Sequence, residues 1–179
     1  MNDKYTIGGK WLEDLNNDLE GSDRSCAVLA GAVVDDHLKT LIMKYLIPPD
    51  NNNDKLLGRS APIDSFAARI ELARRLNLIS ADMRKALDWV RDIRNKAAHR
   101  ANFEFDDNSN KDLVTNITTL LDRENKIPDL FIKPYDGTKG NFVGAVVMLI
   151  ACLNIETCDI KQTTFSPVNA IGNINVNHG

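Results

Sequence analysis

Ser80-Ala81-Asp82-Met83-Arg84-Lys85-Ala86-Leu87-Asp88-Trp89-Val90-Arg91-Asp92-Ile93-Arg94-Asn95-Lys96-Ala97-Ala98-His99 decides the reading of the fold. Met83, Ala86, Leu87, Val90, Ile93 and Ala97 recur three and four apart, the spacing that lays one apolar face along a helix. Ser80 is a good N-cap, because its hydroxyl accepts from an open N–H of the first turn. Asp82 sits in that turn, near the positive pole of the helix dipole. The period predicts a helix ending around His99.

The same spacing extends outward on both sides. From about Asp23 to Leu46, Cys26, Ala27, Ala30, Val34, Leu38, Leu41, Ile42 and Tyr45 form one apolar stripe, with Val28, Leu29, Val33 and Ile47 beside it. A helix apolar over so much of its girth belongs at the centre of a bundle. Gly31 lowers its propensity by about 1 kcal/mol and would let a neighbouring backbone come close. Pro48-Pro49 ends it. Pro62, Ile63 and Asp64 are expected to start a helix that runs to about Leu76, with Phe66, Ile70, Ala73 and Leu76 inward. A short amphipathic segment is expected over Trp11 to Leu19. Asn102 to Asn110 reads as a loop pinned by Phe103 and Phe105. Further helices are expected over Lys111 to Leu121 and Asn141 to Asn154. Pro128, Pro134, Gly137 and Gly140 predict irregular chain over residues 125–140. The expected architecture is all-α, a single bundle of about five to six helices over residues 1–156, followed by a flexible tail at 157–179.

Composition agrees with that class. The chain has 179 residues, enough for one domain. Apolar residues make up 43% but aromatic residues only 6%, so Leu, Ile, Ala and Val supply the core, as suits helix–helix packing. The formal charge of −3 argues weakly against a dedicated nucleic-acid binder. Between Arg69 and Arg100, however, nine Lys and Arg stand against four acids. That basic stretch is either a solvated helix face or a local anion-binding surface. Cys26, Cys152 and Cys158 have no metal spacing and are expected to be reduced thiols. No apolar signal stretch opens the sequence. The longest apolar run, Phe142 to Leu153, is twelve residues, too short to span a bilayer and expected to be a buried helix. Together these predict a cytoplasmic protein without membrane attachment.

Metal and cofactor signatures are absent from the sequence. No His-x-x-x-His, Glu-x-x-His, Cys-x-x-Cys, glycine-rich phosphate loop or Gly-x-Ser-x-Gly elbow occurs, so neither a metal nor a cofactor is expected. What remains is Arg94-Asn95-Lys96-Ala97-Ala98-His99-Arg100. Asn95 and His99 are four apart and share a helix face, whereas Arg94 and His99 point about 140° apart at about 100° per residue. They would line one site only if the helix bends before His99 or if two chains share the site. Histidine moves protons near neutral pH and arginine grips phosphate, so the two could cleave RNA without metal, using the ribose 2′-hydroxyl as nucleophile. The other reading is a polar helix end whose cations meet the negative pole of the dipole and cap the last carbonyls.

Asp35-Asp36-His37 interrupts the apolar helix. A carboxylate there needs a partner, and Arg24, Arg69 and Arg94 are the candidates. A structural ion-pair network and a ligand site both fit this pattern.

Two stretches resemble a known family. One is Asp23 to Leu38. The other comprises Ser65-Phe66-Ala67-Ala68-Arg69-Ile70, Leu76 to Ser80, and Ile93-Arg94-Asn95-Lys96-Ala97-Ala98-His99. In order and content they resemble the mannitol-operon repressor (MltR) family. In that pattern Arg24 opens a long helix and Asp36 is its acidic residue. Phe66, Ala67, Arg69 and Ile70 match a Phe-Ser-x-Arg-Ile-like element, with alanine for serine, and Arg94, Asn95 and His99 match its closing motif. The resemblance covers residues 23–105. It implies a repressor-type helical domain acting through protein or ligand contacts, with Arg24, Asp36, Arg69 and Phe66 as its binding or structural network. The closing motif is also similar to that of the HEPN helical superfamily, many of whose members are dimeric, metal-independent endoribonucleases. That implies a homodimer with Arg94, Asn95 and His99 as catalytic residues. Direct DNA contact is a third expectation, permitted by the basic 69–100 stretch but lacking a reading motif.

Overall fold

The computed structural model describes residues 21–51, 54–125 and 137–163. Among them lie five helices: α1 (Asp23–Tyr45), α2 (Phe66–Arg75), α3 (Ala81–His99), α4 (Asn108–Asn125) and α5 (Gly137–Asp159). The described residues contain no strand, so the fold is an all-α bundle. The expected Trp11–Leu19 segment and residues 164–179 of the expected tail lie outside the described residues.

Packing follows the apolar stripes. Helix α1 lies against α2, α3 and α5; α3 also meets α2 and α4, and α4 meets α5. Helices α1, α3, α4 and α5 therefore form a four-membered ring around one core, and α2 covers the seam between α1 and α3. Cys26, Ala27, Ala30, Val34, Leu38, Leu41 and Ile42 of α1 are all fully buried, as are Ala86, Leu87, Val90, Ile93 and Ala97 of α3.

Caps set several boundaries. Ser22 accepts from the Ser25 N–H at α1, and Ser80 accepts from the Met83 N–H at 3.0 Å at α3. Replacing Ser80 with alanine should lower stability by about 1 kcal/mol in urea denaturation; an unchanged midpoint would mean that the cap contributes nothing. Helix α2 starts at Phe66, later than the expected Pro62 to Asp64, because Ser65 is its cap and residues 61–64 are spent on turns. It ends in a Schellman arrangement: Leu78 N–H bonds the Ala73 carbonyl and Asn77 N–H the Arg74 carbonyl, with Asn77 at φ 58°. Asparagine tolerates that left-handed conformation better than most residues.

Helices α4 and α5 are longer than the expected 111–121 and 141–154, and the reasons are tertiary. The first turn of α4 is fastened by Lys96, whose ammonium donates to the Ser109 carbonyl and hydroxyl and to Asn110 Oδ1. The buried Asn110 side chain in turn donates to the Glu104 carbonyl. Residues 137–140, expected to be irregular, are the first turn of α5. Thr138 donates to Asp106 Oδ1 at 2.7 Å, and Lys139 reaches the Gly21 carbonyl at 2.8 Å and Asp23 Oδ1 at 3.5 Å. At the other end, Lys44 of α1 caps the Thr157 and Cys158 carbonyls, and His37 Nδ1 meets Asn154 Oδ1 at 2.8 Å. By length and mean hydropathy (1.7), the 23-residue α5 could cross a membrane. Its apolar stretch is instead packed inside the bundle, with Phe142 to Ala151 and Leu153 all buried.

Candidate functional site

One face of α1 carries Gly31, Asp35 and Lys39 at four-residue intervals, with Ala32 and Asp36 alongside. Ser65, Phe66 and Arg69 from the start of α2, and Arg94 from α3, complete a cleft of about 560 Å³ where these three helices meet.

Arg69 anchors the floor of the cleft. It is only 8% exposed. Its Nη1 donates to Asp35 Oδ2 at 2.6 Å, and its Nη2 to the Asp64 carbonyl at 2.7 Å. A long apolar helix accommodates Asp35 because α2 delivers this guanidinium to it. Burial nevertheless pushes the Asp35 carboxyl above its ordinary value; the Arg69 hydrogen bond and charge, and the charge of Arg94, pull the other way. Asp35 Oδ1 and Arg69 Nε are buried without a hydrogen-bond partner.

Arg94 is exposed and lies over Gly31. A Cβ built on Gly31 would fall 2.6 Å from Arg94 Cγ and 2.7 Å from its Cβ. The glycine therefore admits the arginine stem, where the sequence suggested a neighbouring backbone. Arg94 Nη1 donates to Asn95 Oδ1 at 3.0 Å.

The remaining residues singled out in the sequence go elsewhere. Helix α3 stays helical through His99, so no bend removes the angle between Arg94 and His99. His99 is exposed and does not line the cleft. The last carbonyls of α3 are capped by Arg24, which donates from Nε to Ala97 O at 3.0 Å and from Nη2 to Ala98 O at 3.4 Å. Arg24 is thus joined to the end of α3 and not to the acids of α1. Asp36 lines the cleft but is exposed; its neighbour Asp35 makes the ion pair with Arg69. Asp35 and Lys39 were not singled out by the resemblance. Their four-residue register with Gly31 was the available signal. Among the described residues no group of three or more His, Cys, Asp or Glu is placed to hold a metal ion.

Most of the basic excess on α3 is neutralised locally. Arg84 pairs with Glu71 and Asp88, Lys85 with Asp82, and Arg91 with Asp88 and Asp92. The fold and the cleft thus define an all-helical domain with a mixed-charge pocket beside its central helix. Among solved structures, the chain is similar to the crystal structure of a possible transcriptional regulator, YggD, from Shigella flexneri. The TM-score is 0.52 at 16% identity, over 82% of this chain and 93% of that one. At that identity the likeness establishes a shared helical fold. No protein-family model matches the chain, and no curated protein matches it in sequence.

Proposed function

We propose that this chain is a repressor-type regulatory domain of the mannitol-operon repressor kind, which acts by binding a ligand or protein in the α1–α2–α3 cleft and carries out no chemistry there. One observation carries the reading: Arg94 is held open over the cleft, while His99, its expected catalytic companion, does not line it. Arg69 and Asp35 build the floor, Phe66 and Asp36 the walls, and Arg24 fixes the end of the helix that presents Arg94. The shared fold with a possible transcriptional regulator supports the same reading. A cytoplasmic homodimer is the form we assign to it.

The competing reading is a dimeric HEPN-like ribonuclease. It draws on the exposure of both Arg94 and His99, which a second copy could bring together. Purified protein incubated with single-stranded and transfer RNA in EDTA separates the two. Our reading expects intact RNA from the wild type, Arg94→Ala and His99→Ala alike. It also expects Arg94→Ala to alter the same transcripts as deletion of the gene. Cleavage leaving 2′,3′-cyclic phosphate ends, and lost in both variants, would overturn it.

A further inference from the structure

We infer that the α1–α2–α3 cleft binds a small monocarboxylate, its carboxylate gripped by Arg94 with Lys39 beside it and its apolar body against Phe66. This names a ligand class for the cleft assigned above and rests on that assignment.

Arg94 differs from the other cations of its helix. Arg84, Lys85 and Arg91 each have a carboxylate within ion-pair distance, and Lys96 is engaged by Ser109 and Asn110. The hydrogen-bond partner of Arg94 is the neutral amide of Asn95. Its stem is nonetheless closely packed, because it occupies the space that a side chain on Gly31 would take. A guanidinium with a packed stem, one nitrogen engaged and, among the described residues, no hydrogen-bond partner on the rest of its fork is pre-organised for a planar bidentate acceptor. Holding it in place before binding reduces the ordering entropy that a ligand must overcome.

The charges around the cleft favour one negative charge on the ligand over two. Asp35, Asp36 and Asp64 stand against Lys39, Arg69 and Arg94. Arg69 is already committed to Asp35 and to the Asp64 carbonyl, and the Asp64 carboxylate accepts from the Ser60 N–H. A dianion such as phosphate would carry its second charge towards Asp35 and Asp36. A carboxylate satisfies the Arg94 fork with a single charge. Half-buried Phe66, with Ala32 on α1, supplies the apolar side chains of an otherwise polar and charged lining, so a ligand with a small apolar body would rest that body against Phe66. A volume of about 560 Å³ falls within the range of small-molecule pockets.

Amide NMR titration of the full chain with benzoate, at fixed ionic strength, tests this. Saturable shifts at Gly31, Ala32, Asp35 and Lys39 are expected. Benzamide, which keeps the ring but lacks the charge, should bind at least about tenfold more weakly. Arg94→Gln and Gly31→Ala should each weaken benzoate by about tenfold or more while the far-UV spectrum stays helical. Arg100→Gln, exposed and outside the cleft, should change it by less than about twofold. Benzoate shifts that survive Arg94→Gln, or phosphate that saturates the same amides at lower concentration, would overturn the assignment. If benzoate fails while Arg94→Ala still alters transcription, the ligand class falls and the regulatory reading stands. RNA cleavage alongside saturable benzoate binding would do the reverse.

Discussion

Replacing Arg69 with alanine should destabilise the fold by about 3 kcal/mol or more at neutral pH, a large share of a typical domain's stability. The substitution removes two contacts at once: the 2.6 Å pair with Asp35 and the 2.7 Å bond to the Asp64 carbonyl. It also leaves Asp35, whose side chain is 23% exposed, as a half-buried carboxylate with only the more distant charge of Arg94 to oppose it. Breaking one side of a buried pair costs more than the pair itself contributes, because the surviving charge keeps its desolvation penalty. Partial exposure of Asp35 places the expected loss near the lower end of the range for such changes.

The deficit should depend on pH, with a definite sign. In the native protein, burial raises the Asp35 carboxyl above its unfolded value, with Arg69 opposing. A group raised in this way contributes fully below its unfolded pKa, and that contribution is lost as pH rises through the folded value. Without Arg69 the two largest lowering influences disappear, so the folded value climbs further. Urea denaturation of wild type and Arg69→Ala should therefore show a smaller difference at about pH 5 than at about pH 7. Arg69→Lys should recover only part of the loss, since an ammonium cannot reproduce the fork that reaches Asp35 and Asp64 together. A pH-independent deficit would show that Arg69 acts through packing alone.

The reach of the sequence follows the range of the interactions. The buried stripes of α1 and α3 were legible because helical periodicity is local: Val34, Leu38 and Leu41, and likewise Val90, Ile93 and Ala97, appear where the spacing put them. The start of α3, set by its own Ser80 cap, was legible too, although Ser65 at the start of α2 was not. Ends set from a distance were not. The first turn of α5 has two glycines and no periodic signal, and it is fastened by Thr138 to Asp106 and by Lys139 to Gly21. The cleft divides in the same way. A helix face at four-residue spacing could have brought Gly31, Asp35 and Lys39 together. The sequence cannot show which acid meets Arg69, because the two lie 34 positions apart and the choice between Asp35 and Asp36 depends on how α2 is seated. Arg24 is the clearest case. As a residue of the acidic helix it looked like a partner for the acids. Across 73 positions it caps the carbonyls of Ala97 and Ala98 instead.

The second large effect is expected at Phe105, remote from the cleft but coupled to the end of α3. Its ring is 1% exposed. It packs edge-on to Phe103 at 5.2 Å and against Phe142 of α5 at 5.0 Å. Its backbone N–H donates to Asp23 Oδ2 at 2.9 Å, and Asp23 also faces Lys139. The connection between α3 and α4 is thereby tied to the starts of α1 and α5. Phe105→Ala should cost about 3–5 kcal/mol, the sum of lost transfer energy and a cavity that neighbouring rings only partly fill. The loss comes from buried apolar surface and ring packing, whereas that of Arg69→Ala comes from a stranded carboxylate. Hydrogen exchange gives a spatial check. Amides of α4 and the first turn of α5 should lose protection before those in the middle of α1, since that loop ties their ends to Asp23 and Phe142. Phe105→Leu, which keeps much of the volume, should retain more than half of the stability lost in the alanine variant. A drop below about 1 kcal/mol for Phe105→Ala would show that the loop is held by Asp23 and Asn110 alone, and that the aromatic cluster is not part of what keeps α3 and its Arg94 in place.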